Sequence, residues 1–169
     1  MAMTWRHSPA RLACRRGTTA MEFGLVAPML VLLLLSMVEA GVQFGTGLLL
    51  DSAARDASRF GVTGATAPAG MANPPSDRTA AIRRIVLDRG AGLLRDDRLA
   101  MTIRSFTGFA QVGQDGAGTD GPGGRGAVVL YELRYTQPVV TPLPSAAFGA
   151  REFIHVATAV VRNEPFPAQ

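Results

Sequence analysis

Few side chains in this sequence have the types and spacing that catalysis or metal binding requires. The two histidines, His7 and His155, and the single cysteine, Cys14, are too few for a usual zinc site. The adjacent carboxyl groups of Asp96 and Asp97 would suit a general acid–base pair, but neighbouring residues on a turn usually point into solvent. No nucleophile motif of the GxSxG kind is present. We therefore expect no catalytic residue, no metal and no cofactor, and we predict that the protein is not an enzyme.

The glycine-rich stretch 108–126 contains the other candidate site. Residues 116–121 match the GxGxxG pattern of dinucleotide-binding turns, which requires a strand before it and a helix N-terminus after it. Because the match lies inside a run of glycines, we interpret it as part of a flexible loop between strands. Asp115 and Asp120 carry oxygens that suit Ca²⁺, although the EF-hand pattern is absent. The sequence leaves open whether this loop binds an ion.

The Glu22 carboxylate lies beside a long apolar segment, where a charged group is costly to desolvate. Glu22 lies at the start of an apolar segment, and 16 consecutive uncharged residues separate it from Glu39. An α-helix rises about 1.5 Å per residue, so the two carboxylates lie roughly 25 Å apart and fit near opposite edges of a hydrocarbon core about 30 Å thick. We therefore predict one transmembrane helix, which includes Phe23, Pro28, Glu39 and Gly41. Pro28 is expected to bend this helix locally.

The charge distribution predicts the orientation of that helix. Of the 17 arginines, four lie before Gly17, and the remaining 13 balance 13 acidic residues, so the net charge of +4 belongs to the N-terminal tip. Positive flanks favour the cytoplasmic side, which places the rest of the chain outside the cytoplasm. A basic surface for nucleic acid is nearly excluded. A cleaved signal peptide is the alternative, but its apolar core of about 7–15 residues is shorter than this run, which continues as a helix.

The periodicity after the apolar segment predicts a small α+β head. The first helix is expected to continue to about Phe60, and a connector rich in Gly, Pro and Ala follows at 61–75. Ser76 offers an N-cap for a second helix that Gly90 ends. Alternating apolar residues then predict three strands, at 99–106, 127–136 and 152–162. The fold class is therefore α+β, with a long N-terminal transmembrane helix followed by a head of one helix and a three-stranded antiparallel sheet.

The N-terminal residues also resemble a known family. Arg15, Arg16 and Gly17 come just before the apolar helix, and Glu22 and Phe23 follow five and six positions after Gly17. This arrangement is similar to the N-terminus of type IV prepilins and pseudopilins, and most closely to that of the TadE-like proteins of tight-adherence (Flp-type) pilus systems. The order of helix, strands and variable loop in the head resembles that family more weakly.

The resemblance implies a function in pilus assembly. A prepilin peptidase would cut on the cytoplasmic face after Gly17, which makes Thr18 the new N-terminus and leaves Glu22 and Phe23 as the pair recognised in assembly. The protein would be a pseudopilin or minor pilin of the bacterial inner membrane, with a periplasmic head, in a pilus used for surface attachment. Its partners would be the peptidase, pilin and other pseudopilin subunits, the inner-membrane assembly platform and membrane lipid, but no nucleic acid.

These inferences divide the chain into four parts. They are a basic leader at 1–17, a transmembrane and spine helix at 18–60, a linker at 61–75 and the head at 76–169. Gly41, Gly45 and Gly47 would let neighbouring helices approach closely, and the amine of Thr18 on one subunit would neutralise Glu22 on another. Two alternatives stay open. Glu22 lies among lipid headgroups without a pairing role, or the protein is a single-pass membrane-tethered periplasmic binding module or enzyme unrelated to pili.

Overall fold

The computed structural model describes residues 15–68, 70, 73, 75 and 77–166, with side chains from Thr19 onward. Cys14, the rest of the predicted leader before Arg15, and Ser76 lie outside the described residues. The helices and strands, in chain order, are α1 (Arg15–Val62), α2 (Arg78–Arg89), β1 (Leu99–Phe106), β2 (Thr119–Asp120), β3 (Val128–Pro138), α3 (Leu143–Phe148) and β4 (Glu152–Arg162). Two short 3₁₀ turns, Asp96–Arg98 and Phe109–Gln111, flank β1.

The longest element, α1, is a helix of 48 residues that continues through Pro28. At about 1.5 Å per residue it is roughly 72 Å long, more than twice the thickness of a hydrocarbon core. Within the described chain, Thr19–Val62 is the one helix that is long and apolar enough to cross a membrane. Its N-terminal half is the apolar part, so its C-terminal half must extend beyond any bilayer that it spans.

The C-terminal half of α1 forms one layer of the core of the head. Leu50, Ala53, Ala54 and Ala57 are buried at the i, i+3, i+4, i+7 spacing of a single helix face. Because three of these four side chains are alanine, the helix backbone lies close to the sheet. The other buried residues of this core are Ile82, Val86, Leu94, Leu99, Ile103, Val129, Tyr131, Leu133, Tyr135 and Ala157.

The sheet has four antiparallel strands in the order β2–β1–β3–β4. The α+β class is confirmed, and so are the predicted bounds of β1 and β4. The prediction of a three-stranded sheet was wrong, because Thr119 and Asp120 in the glycine-rich stretch pair with Ser105 and Arg104 of β1. A strand of two residues is too short to show the alternation from which strands are predicted.

The cap of α2 also differs from the expectation. The helix begins at Arg78, and Asp77 is its N-cap, with the carboxylate Oδ2 accepting a hydrogen bond from the Ala80 amide at 3.2 Å. The carboxylate therefore satisfies one of the free amides of the first turn and its charge is favourable there. The predicted cap was one residue too early, whereas Gly90 ends the helix as predicted.

At Gly61 the end of α1 lies so close to β3 that no side chain would fit between them. A Cβ at Gly61 would lie 2.0 Å from the Tyr131 hydroxyl oxygen and 2.8 Å from its Cζ. Tyr131 is fully buried, and burial raises its pKa, so the hydroxyl stays protonated. Arg78 fastens the same junction, because its guanidinium donates to the carbonyls of Gly61 and Gly123.

We predict that Gly61→Ala lowers the free energy of unfolding by about 1–3 kcal/mol, because the added methyl overlaps the Tyr131 hydroxyl. Adding Tyr131→Phe should recover part of this loss by removing the nearest atom. Gly45→Ala is the matched control, since a Cβ at that position of the same helix meets nothing within 4 Å. Thermal unfolding of the full chain in detergent measures all three variants. Equal midpoints for Gly61→Ala and Gly45→Ala would contradict this packing.

Candidate functional site

The site residues expected from the sequence lie in the first turns of α1. The backbones of Gly17 and Thr18 are helical, and Glu22 and Phe23 follow about one turn later with exposed side chains. Glu22 makes no hydrogen bond or ion pair with any residue that the structure describes. Its carboxylate is therefore available to a group outside the described part of this chain.

An exposed apolar surface begins at Met21 and continues along α1 beyond Glu22. Side chains that a water-soluble domain would bury are 49–79 % exposed here. They are Met21, Phe23, Leu25, Val26, Met29, Leu30, Val31, Leu32, Leu33, Leu34, Met37 and Val38. A contiguous apolar surface of this extent is typical of a segment covered by lipid or by other helices.

The three glycines beyond this surface face different surroundings. A Cβ at Gly41 or Gly45 would meet nothing within 4 Å, so a partner helix could approach closely at both positions. Gly47 instead faces the head, since a Cβ there would lie 3.6 Å from Nδ1 of His155. The expectation that all three glycines serve a neighbouring helix is therefore wrong for Gly47.

Glu39 fastens the head to the helix. Its Oε2 accepts hydrogen bonds from the amides of Val140 and Thr141 at 2.9 and 2.8 Å and from the Thr141 hydroxyl at 3.0 Å. Its Oε1 accepts a hydrogen bond from Gln43 Nε2 at 2.6 Å. The residue is only 6 % exposed, so these charge-assisted hydrogen bonds replace the water that the carboxylate has lost.

Gln43 extends this contact to the sheet. Its Oε1 lies 2.9 Å from Nε2 of His155. Because the Gln43 amide nitrogen already donates to Glu39, its oxygen is the acceptor here, and His155 carries its proton on Nε2. Burial lowers the pKa of His155, which keeps the ring neutral. His155 is thus a partly buried structural residue, and a relay of hydrogen bonds joins β4, α1 and the segment after β3.

The remaining candidate residues do not come together. The Asp96 carboxylate accepts from Arg83 at 2.6 Å and the Asp97 carboxylate from Arg95 at 3.0 Å, so the two carboxylates serve different arginines. Residues 116–121 form a loop and β2, without the strand and helix that a dinucleotide turn requires. Among the described residues there is no group of three or more His, Cys, Asp or Glu side chains that could hold a metal ion.

The glycine-rich stretch is held against β1. Gly118 has φ +84°, and a Cβ there would lie 2.6 Å from the Phe106 ring, so both conformation and space require glycine. The two candidate ion ligands, Asp115 and Asp120, are exposed.

A helix with a bare apolar first half and a small α+β head on its second half is the architecture expected of a membrane-anchored protein with one spanning helix. The model of the TadE-like protein family matches residues 17–59 of the chain, which is most of α1. The TadE-like resemblance is confirmed over this segment, which includes Gly17, Glu22 and Phe23, and it suggests a protein associated with a tight-adherence pilus. No curated protein and no solved structure matches the chain.

We predict that Glu39→Ala frees the segment after β3. Loss of the shared acceptor should speed hydrogen exchange at the Val140 and Thr141 amides about ten- to hundredfold, as expected for hydrogen bonds to a charged group worth about 1.5–3 kcal/mol. Glu22→Ala removes a carboxylate from the same helix and is the control, which should leave both amides unchanged. Fast exchange at both amides in the unmodified protein would contradict the assignment.

We also predict that protonation of His155 weakens the head. Its pKa in the folded state lies below the ordinary value of 6.5, so the unfolded state binds more protons and the free energy of unfolding falls as pH drops through 6.5. Stability should be full above that pH and level off once the pH is below the folded pKa. Unfolding midpoints measured between pH 8 and pH 5 for the unmodified chain and for His155→Gln test this. A difference between the two that does not change with pH would refute it.

Proposed function

We propose that the protein is a pseudopilin or minor pilin of a tight-adherence (Flp-type) type IV pilus system, processed by a prepilin peptidase after Gly17. The observation that carries this proposal is the TadE-like family match, which begins at Gly17 and runs along α1. The basic residues before Gly17 and the Glu22-Phe23 pair after it support the assignment, since they resemble the junction between a prepilin leader and the mature chain.

In this proposal α1 crosses the bacterial inner membrane with its N-terminus in the cytoplasm and the head in the periplasm. The four arginines before Gly17 support that orientation. The protein acts by packing α1 against the helices of pilin and other pseudopilin subunits at the inner-membrane assembly platform, in a pilus used for surface attachment. Its role is structural, and the proposal assigns it neither a catalytic residue nor a cofactor.

Glu22 is the residue that we assign to pairing between subunits. Glu39 has all its hydrogen bonds within the chain, whereas Glu22 has none with the described residues. A carboxylate at the edge of an apolar segment is stabilised by a cation, and the amine that cleavage creates on Thr18 of a neighbouring subunit would supply one. Such a pair would fix the register between adjacent helices.

The intact mass of the protein from membranes of its native host tests the processing step. We expect the mass of residues 18–169, with or without one added methyl group. A full-length mass would overturn the proposal, because it would leave a membrane-tethered domain that no prepilin peptidase has cut.

The pairing role is tested by Glu22→Ala in the native host. This variant should be made, cut and inserted normally but should fail to join the assembly, because the neighbouring Thr18 amine loses its partner. Met21→Ala, which shortens the exposed neighbouring side chain, is the control and should assemble. Co-purification with pilus components measures assembly. Normal assembly of Glu22→Ala would show that the carboxylate merely lies among headgroups.

A further inference from the structure

We propose that residues 139–151, the connection between β3 and β4, form a membrane-contact surface that lies in the outer interfacial layer of the bilayer beside α1. We name this segment the hairpin connection. The inference goes beyond pilus assembly, since it requires only that α1 spans a bilayer, and its occupant is the lipid surface itself.

The position of the hairpin connection relative to α1 is fixed by hydrogen bonds. His155 of β4 contacts Gln43, and the hairpin connection reaches the preceding turn of the helix through the Glu39 carboxylate. α3 also contacts α1. Leu35, one turn before Glu39 on the same helix face, is half-buried, whereas Leu34 and Ser36 are exposed. The hairpin connection therefore extends from the head down to the level of the apolar segment.

The length of the apolar segment places this level at the edge of the bilayer. Glu22 and Glu39 lie roughly 25 Å apart along the helix, whereas a hydrocarbon core is about 30 Å thick. The core must then reach Glu39 or extend beyond it. A carboxylate at that depth is tolerated because the hairpin connection covers it and supplies its hydrogen bonds. The residues that cover Glu39 consequently meet lipid.

The composition of the hairpin connection suits that position. Residues 139–150 contain no charged side chain. Phe148 is 86 % exposed and Val140 is 56 % exposed, although both are large and apolar. Phe is one of the side chains that interfacial segments bury at the boundary between headgroups and acyl chains, and Arg151, which is exposed directly after this run, suits the phosphates of lipid headgroups.

Many backbone amides of the hairpin connection have hydrogen-bond acceptors within the protein, which suits a position where little water is available. A segment in lipid must satisfy its amides internally. The amides of Val140 and Thr141 donate to Glu39, and Pro142 and Pro144 have no amide hydrogen to satisfy. Four more amides of this segment donate to carbonyls within it, namely Val139 to Arg151, Ala146 to Pro142, Gly149 to Ser145 and Ala150 to Pro144.

Tryptophan fluorescence in vesicles tests the proposal. The single tryptophan is first removed by Trp5→Phe in the full chain, and each reporter is added to that variant. Phe148→Trp then reports on the hairpin connection, and Phe109→Trp, 57 % exposed in the native chain at the opposite end of the sheet, is the matched control. Leu33→Trp, also at a position 57 % exposed, reports on the apolar part of α1. The vesicles contain phosphatidylethanolamine and phosphatidylglycerol with brominated acyl chains as quenchers.

We expect brominated lipid to quench Phe148→Trp and Leu33→Trp several-fold more strongly than Phe109→Trp, with a blue-shifted emission for the first two. Quenching of Leu33→Trp alone would overturn the proposal and leave the spanning helix intact. Equal quenching of Phe148→Trp and Phe109→Trp would also overturn it, since the contact would not be confined to one end of the head. The mass measurement on the native protein is independent of all these outcomes, so the two proposals fail separately.

Discussion

The relation between helix and head depends on one buried carboxylate. Glu39 lies at the end of an apolar segment, where an uncompensated charge would cost several kcal/mol. The structure compensates it with two backbone amides and a hydroxyl from Val140 and Thr141 and with the amide of Gln43. Gln43 lies on α1 itself, whereas Val140 and Thr141 belong to the hairpin connection between β3 and β4. The strands must therefore lie at the height on α1 that brings the hairpin connection to Glu39. The alanine face of α1 is then opposite the sheet, where it is buried.

The two glutamates of α1, Glu22 and Glu39, have different surroundings, and we assign them different roles. Both stand at an end of the apolar segment, but only Glu22 belongs to the Arg-Arg-Gly and Glu-Phe arrangement that resembles a prepilin N-terminus. Glu39 is satisfied within its own chain, whereas Glu22 has no partner among the described residues. A side chain whose hydrogen bonds are complete contributes to stability of the subunit. An exposed carboxylate beside bare apolar surface gains from a second molecule, which is why we assign subunit pairing to Glu22.

The parts of the fold that could be predicted are those with a local pattern. The apolar run gave α1, period-two alternation gave β1 and β4, and the residues around Gly17 and Glu22 gave the family resemblance. The parts that could not be predicted depend on distant residues. Val140 is 101 positions from Glu39, and His155 is 112 positions from Gln43, so no window of sequence contains both partners. β2 was missed for a related reason, since only its pairing with β1 makes it a strand.

The predicted division of the chain at residue 60 runs between two parts that share one hydrophobic core, the C-terminal half of α1 and the head. Leu50, Ala53, Ala54 and Ala57 lie before that point, yet they form a layer of the same core as β3. Contact between α1 and the head therefore begins well before the predicted linker at 61–75, since the hairpin connection already reaches Glu39. A helix packed in this way carries its head as one body. Any rotation or translation of α1 must move the head with it, which suits the assembly role that we propose for this helix.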